Sequence, residues 1–169
     1  IDVDYLSLHV TQYCNLNCRH CGGDSIPLPI SGRLNKKYIL PGSGVNRIVS
    51  ILNTGYDGEI VIAGGGEPTL EFDKILHIGK FSKCSSVLIV TNGAFGLNKL
   101  KAREHIEKLL EITKHREGYP LKIRICISTD NFHQEGAPVQ AVKNIIDIIM
   151  ELEKESPGLF PVEVFLTTL

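Results

Sequence analysis

Apolar and polar positions along the 169 residues alternate between two periods, one of two residues and one of three to four. Five short runs carry the strand pattern: "YLSLHV" (5–10), "EIVIA" (59–63), "SVLIV" (86–90), "LKIRICIS" (121–128) and "VEVFLT" (162–167). Between them lie helical patterns. "VNRIVSILN" (45–53) puts Val45, Ile48, Val49 and Leu52 on one face. "EFDKILHIGKF" (71–81) opens on an acidic residue, which suits the positive end of a helix dipole. "NKLKAREHIEKLLEITKHR" (98–116) carries Leu100, Ile106, Leu109 and Leu110, with basic residues in its last turn. "PVQAVKNIIDIIMELEKE" (138–155) follows a proline suited to a first helical turn. The stretch 22–44 is rich in Gly, Pro and Ser and exceeds ordinary loop length.

Strands that alternate with helices predict parallel strands joined by right-handed crossovers, hence an α/β sheet or barrel. In both architectures chemistry gathers at the C-terminal ends of the strands. Every unusual polar motif of this chain falls at such an end. The cysteines follow the first strand and "GGGEP" the second; "TNG" follows the third and "STDNFH" the fourth. The fold therefore brings four scattered motifs to one face.

Composition narrows this picture only a little. The apolar fraction of 43 % and net charge of −1 describe an ordinary globular domain, with no overall charge that draws nucleic acid or an anionic membrane. No apolar run approaches the ~18 residues of a membrane span. The first residues have no basic segment of a signal peptide, and the five cysteines have no disulfide-like distribution, so the expectation is a reducing cytoplasm. A chain that starts at Ile1 and stops on a strand-like run also reads as a fragment, one core domain over 1–169.

The chemistry starts at "CNLNCRHC", where Cys14, Cys18 and Cys21 have the spacing C-x3-C-x2-C. A structural zinc wants four closed ligands and a ferredoxin-type cluster wants a fourth cysteine, which this segment lacks. Cys84 and Cys126 sit in or beside strand-like runs, where packing is their role. A cubane cluster with one iron left open for a small molecule remains. "AGGGEP" is neither a Walker loop nor a G-x-G-x-x-G fingerprint, though a glycine run lets a ligand approach the backbone closely. His133-Gln134-Glu135 has the H-x-E of zinc deaminases, but no C-x-x-C follows.

Cys14-x3-Cys18-x2-Cys21 with His20 before the last cysteine, followed one βα unit later by Gly65-Gly66-Glu67-Pro68, resembles the signature of the radical S-adenosylmethionine (SAM) superfamily. The resemblance covers nearly the whole chain and implies a partial (β/α)6 barrel, of which this sequence supplies about four βα units and a fifth strand. It implies that Cys14, Cys18 and Cys21 hold a [4Fe–4S] cluster whose open iron SAM chelates. It implies further that His20 packs near the adenine, that Gly65, Gly66 and Glu67 meet the SAM amino group, and that Ser128 and Asp130 contact its ribose or carboxylate. Thr167 and Thr168 are weaker candidates for adenine contacts. The implied activity is reductive cleavage of SAM to a 5′-deoxyadenosyl radical that takes hydrogen from a substrate, with flavodoxin or ferredoxin as reductant. Apolar and basic residues in 22–44 suit a peptide or protein side chain as substrate. A small metabolite or nucleoside is the alternative, and an iron–sulfur protein that does not use SAM is the alternative from another class. His133 either faces substrate or caps its loop.

Overall fold

The computed structural model describes residues 4–23, 25–114, 120–134, 136–155 and 161–167, with the side chains of Phe132 and Gln134 excluded. Five strands form one sheet: β1 (Tyr5–Leu8), β4 (Glu59–Ile62), β5 (Ser86–Thr91), β6 (Lys122–Ser128) and β7 (Val162–Thr167). They lie in the order β1-β4-β5-β6-β7 and every neighbouring pair is parallel. Four helices connect them: α1 (Gly42–Leu52), α2 (Phe72–Phe81), α3 (Lys99–Lys114) and α5 (Val139–Glu155). All five predicted strands and all four predicted helices are present, so the chain is α/β with a parallel sheet. No helix is long and apolar enough to cross a membrane among the described residues.

Strand order that follows chain order, with right-handed crossovers, puts all four helices on one face of the sheet. The burial pattern agrees. Ile60, Ile62, Val87, Ile89, Ile123, Ile125 and Ile127 point to that face and are essentially inaccessible. They pack with Val45 and Leu52 of α1, Ile75 and Ile78 of α2, Ile106 and Leu109 of α3, and Ile145 and Ile148 of α5 in one core. On the opposite face Val61, Leu88, Val90 and Cys126 are only half-buried. There Arg124 pairs with Glu59 at 2.7 Å and lies over the Phe165 ring.

Two expectations change. Leu100 is not on the packed face of α3: it is 80 % exposed, and Ala102 takes the buried position. Helix α3 starts at Lys99, and Ala102 N donates to Asn98 O in its first turn, so Leu100, two residues before Ala102, points to the opposite side. Residues 22–44 are also more than a loop. β3 (Ile26–Pro27) pairs in parallel with β2 (Tyr13–Cys14), and a 3-10 turn occupies Lys36–Tyr38. Ile26 N donates to Gln12 O, Leu28 N to Cys14 O, Gln12 N to Tyr38 O and Leu40 N to Val10 O. The segment braces the backbone of the cysteine loop, and the buried Tyr13 hydroxyl accepts from Asn35 N at 2.8 Å within that brace.

Candidate metal centre and cofactor pocket

The C-terminal ends of β1, β4, β5 and β6 surround a cavity of about 390 Å³, a size that suits a small organic ligand. Cys14, Cys18 and Cys21 form one wall and Gly64, Gly65 and Gly66 another. His20, Glu67, Ser128 and His133 also line it. Asp130 and Thr167 do not. Thr168 lies outside the described residues.

The cysteine loop is held by its neighbours. Cys21 N closes a turn on Cys18 O at 3.2 Å, and Cys21 Sγ is 3.4 Å from Ser25 Oγ. Cys14 Sγ accepts from Leu16 N at 3.4 Å and from Asn92 Nδ2 at 3.6 Å. Burial pushes the Cys14 thiol above its ordinary pKa, with the charge of Glu67 and the neighbouring Cys21 adding to the rise. Burial also pushes Cys18 up, with Cys14, Cys21 and Asp130 adding to it. The three sulfurs therefore feel one another, and gathering them as thiolates needs a cation.

A single tetrahedral zinc at about 2.3 Å from each sulfur would hold the sulfurs about 3.8 Å apart. The cysteines form no such tight triple, whereas the ligand atoms of His20, Asp130 and His133 all lie within 4.8 Å of one another. A polynuclear cluster, in which each thiolate binds a different iron, does not require the sulfurs to stand that close. The N–H groups aimed at Cys14 Sγ suit one too, since hydrogen bonds to cluster sulfurs tune the potential. Three cysteines on one cavity wall, so supported, fit the group that the resemblance implies.

The glycine turn is built for close backbone contact. Gly64 and Gly65 have φ of 71° and 66°, the left-handed region. Gly66 has no room for any side chain, because a Cβ there would stand 2.0 Å from Tyr13 O. Gly66 N donates to Thr11 O at 3.0 Å and Glu67 N to Tyr13 O at 2.8 Å, which seals the turn against the cysteine loop. Glu67, 3 % exposed, spends its carboxylate on the protein. Oε1 accepts from Thr69 N, Thr69 Oγ1 and Thr91 Oγ1, and Oε2 accepts from Asn92 N at 2.8 Å.

Asn92 is the residue that the sequence undervalued. It is 6 % exposed and joins three motifs at once. Its N–H meets Glu67, its Nδ2 meets Cys14 Sγ and Asn15 Oδ1, and its Oδ1 accepts from Ala94 N. An Asn-Gly pair after a strand reads as a turn, which hides the second role. Asp130 sits behind the histidines at the start of α4 (Asn131–Gln134). Its Oδ1 accepts from His133 N at 3.1 Å, and its Oδ2 is 2.5 Å from His133 Nδ1. His133 thus serves the loop cap and the cavity together.

No family model matches this chain, and no curated protein matches it.

Proposed function

We propose that this chain is the core of a radical SAM enzyme, its five parallel strands forming part of a (β/α)6-type barrel. The observation that supports the reading best is the convergence of Cys14, Cys18 and Cys21 with the Gly64–Gly66 turn on one cavity at the C-terminal ends of the strands. A [4Fe–4S] cluster with SAM supplies, when bound and reduced, a carbon radical able to take a hydrogen atom from an unactivated C–H bond.

The chain's own residues bind and orient. Cys14, Cys18 and Cys21 hold the cluster, and the N–H groups of Leu16 and Asn92 stabilise charge on Cys14 Sγ. Gly64, Gly65 and Gly66 offer peptide groups to the methionine end of SAM without side-chain obstruction. Glu67 acts through the backbone that it fixes, its carboxylate being committed to Thr69, Thr91 and Asn92. Ser128 and the His20 ring contact SAM directly, whereas Asp130 acts through the histidines it holds. Oriented groups of this kind are the protein's share when a cofactor carries the chemistry.

The electron comes from outside, from a carrier such as flavodoxin or ferredoxin, and thiols that form no disulfide are at home in a reducing cytoplasm. Exposed Leu28, Ile30 and Leu34, beside the basic Lys36 and Lys37, keep a peptide or protein side chain as the proposed substrate class. Anaerobic reconstitution with iron and sulfide, reduction, and chromatography for 5′-deoxyadenosine test the proposal. Formation of that product from SAM, lost in Cys14→Ser, is the expected result. A fully assembled cluster that neither binds nor cleaves SAM would replace the reading with that of an electron-transfer or sensing protein.

A further inference from the structure

Beside the cysteines lies a second set of metal-ligating side chains, two of which line the same cavity. His20 comes from the cysteine loop, while Asp130 and His133 come from the β6–α4 corner. Asp130 Oδ1 stands 3.8 Å from His20 Nε2, and Asp130 Oδ2 stands 2.5 Å from His133 Nδ1. The rings of His20 and His133 are 5.0 Å apart at 81°, edge to face. The Asp130 side chain is 3 % exposed and further fixed by His133 N, while both imidazoles reach the cavity.

We propose that His20, Asp130 and His133 bind one divalent transition-metal ion, distinct from the cysteine set, with its open coordination positions turned to the cavity. Two imidazoles and one carboxylate are a known donor set for Zn²⁺, Fe²⁺ or Co²⁺, and three protein ligands leave room for water or a substrate oxygen. Ligand atoms around one such ion stand about 3 to 3.5 Å apart, given bonds of about 2.0–2.2 Å. The gaps from Asp130 to the two rings, 2.5 and 3.8 Å, lie on either side of that spacing, and all the ligand atoms lie within 4.8 Å of one another, so side-chain shifts of about an ångström close the site. With the ion in place His133 ligates through Nδ1 as the neutral imidazole with its ring proton on Nε2, and no electron is transferred. In the bound form the ion would offer a substrate carbonyl or carboxylate a Lewis-acidic anchor beside the thiols.

The assignment stands apart from the reading of the cysteines, and its test removes them. The full chain with Cys14, Cys18 and Cys21 all changed to Ser is titrated with Co²⁺ by absorption and calorimetry. Binding of about one Co²⁺ per chain is expected, with the weak visible bands of nitrogen and oxygen ligands. Asp130→Asn or His133→Ala in that background should weaken it by roughly tenfold or more. Absence of stoichiometric binding, or equal binding by both variants, overturns the proposal. If circular dichroism shows the serine variant unfolded, the cluster-loaded wild-type chain is used instead, incubated with Co²⁺ and counted by mass spectrometry. One cobalt per chain beyond the iron, lost in His133→Ala, supports the site. Equal cobalt in both proteins, or none in either, sinks it.

Discussion

Adding one methyl group at Gly66 should disrupt the site from behind. In Gly66→Ala the new Cβ would lie 2.0 Å from Tyr13 O, 2.4 Å from Tyr13 C and 2.5 Å from Gln12 C. All three are backbone atoms, so no side-chain rotation relieves the clash. Reaching an ordinary contact of about 3.4 Å requires the two chain segments to part by more than an ångström. Gly66 N→Thr11 O and Glu67 N→Tyr13 O then stretch beyond useful length. Two hydrogen bonds at about 1 kcal/mol each, with about 1–3 kcal/mol for overpacking, give a loss of about 3–5 kcal/mol. That is a large share of the ~5–15 kcal/mol typical of a domain. Urea denaturation followed by circular dichroism measures it, with Gly22→Ala as control, since a Cβ at Gly22 meets nothing within 4 Å. A Gly66→Ala protein within about 0.5 kcal/mol of wild type, the ordinary range for a surface change, would refute the close approach and the sealed turn inferred from it.

Glu67→Ala should destabilise the chain by about 3 kcal/mol, because Thr69 N, Asn92 N and the Thr91 hydroxyl lose a shared buried acceptor; thermal unfolding reads this, and an unchanged midpoint would deny the carboxylate its bracing role. His105 is buried against the Phe72 ring at 3.9 Å, and burial lowers its pKa below the ordinary 6.5. The unfolded chain therefore binds the proton first, so stability should fall as pH drops below about 6.5, and His105→Phe should flatten that limb of a stability–pH profile. Iron analysis after reconstitution should give about four irons per chain for Cys84→Ser and Cys126→Ser but little for Cys14→Ser, Cys18→Ser or Cys21→Ser. Iron lost from Cys84→Ser or Cys126→Ser while Cys14→Ser keeps it would reverse the ligand assignment.

The elements were legible because each strand here is a short β-branched run and each long helix repeats at three to four residues. Ile123, Ile125 and Ile127 announce their common face by spacing alone, and the structure buries all three. The motif ends converged as the parallel topology required: Cys14, the Gly65-Gly66-Glu67 turn and Ser128 are far apart in the chain and line one cavity. Details that depend on which way a polar group turns were not legible. Nothing in "GGGEP" says that the Glu67 carboxylate faces Thr91 and Asn92, since that choice depends on partners some 24 residues away. The brace formed by 22–44 was hidden for a similar reason. Its contacts with Gln12 and Cys14 run through backbone atoms, which every sequence shares.

Strand order that follows chain order also sets a timetable for biosynthesis. Each strand pairs with the one made just before it in the sheet, so units can dock in turn as the chain leaves the ribosome. The thiols emerge early, whereas Asn92, which steadies Cys14, and Asp130, beside His20, come some 80 to 110 residues later. At about 5–20 residues per second, that interval lasts several seconds. During it the cysteine loop has the brace of the segment that follows it but lacks Asn92 and Asp130, so a metal delivered then would meet an incomplete wall. If the cysteines hold the proposed cluster, its loading should therefore follow docking of β5 and β6, and a ribosome stalled before residue 92 should present the three cysteines to alkylating reagents.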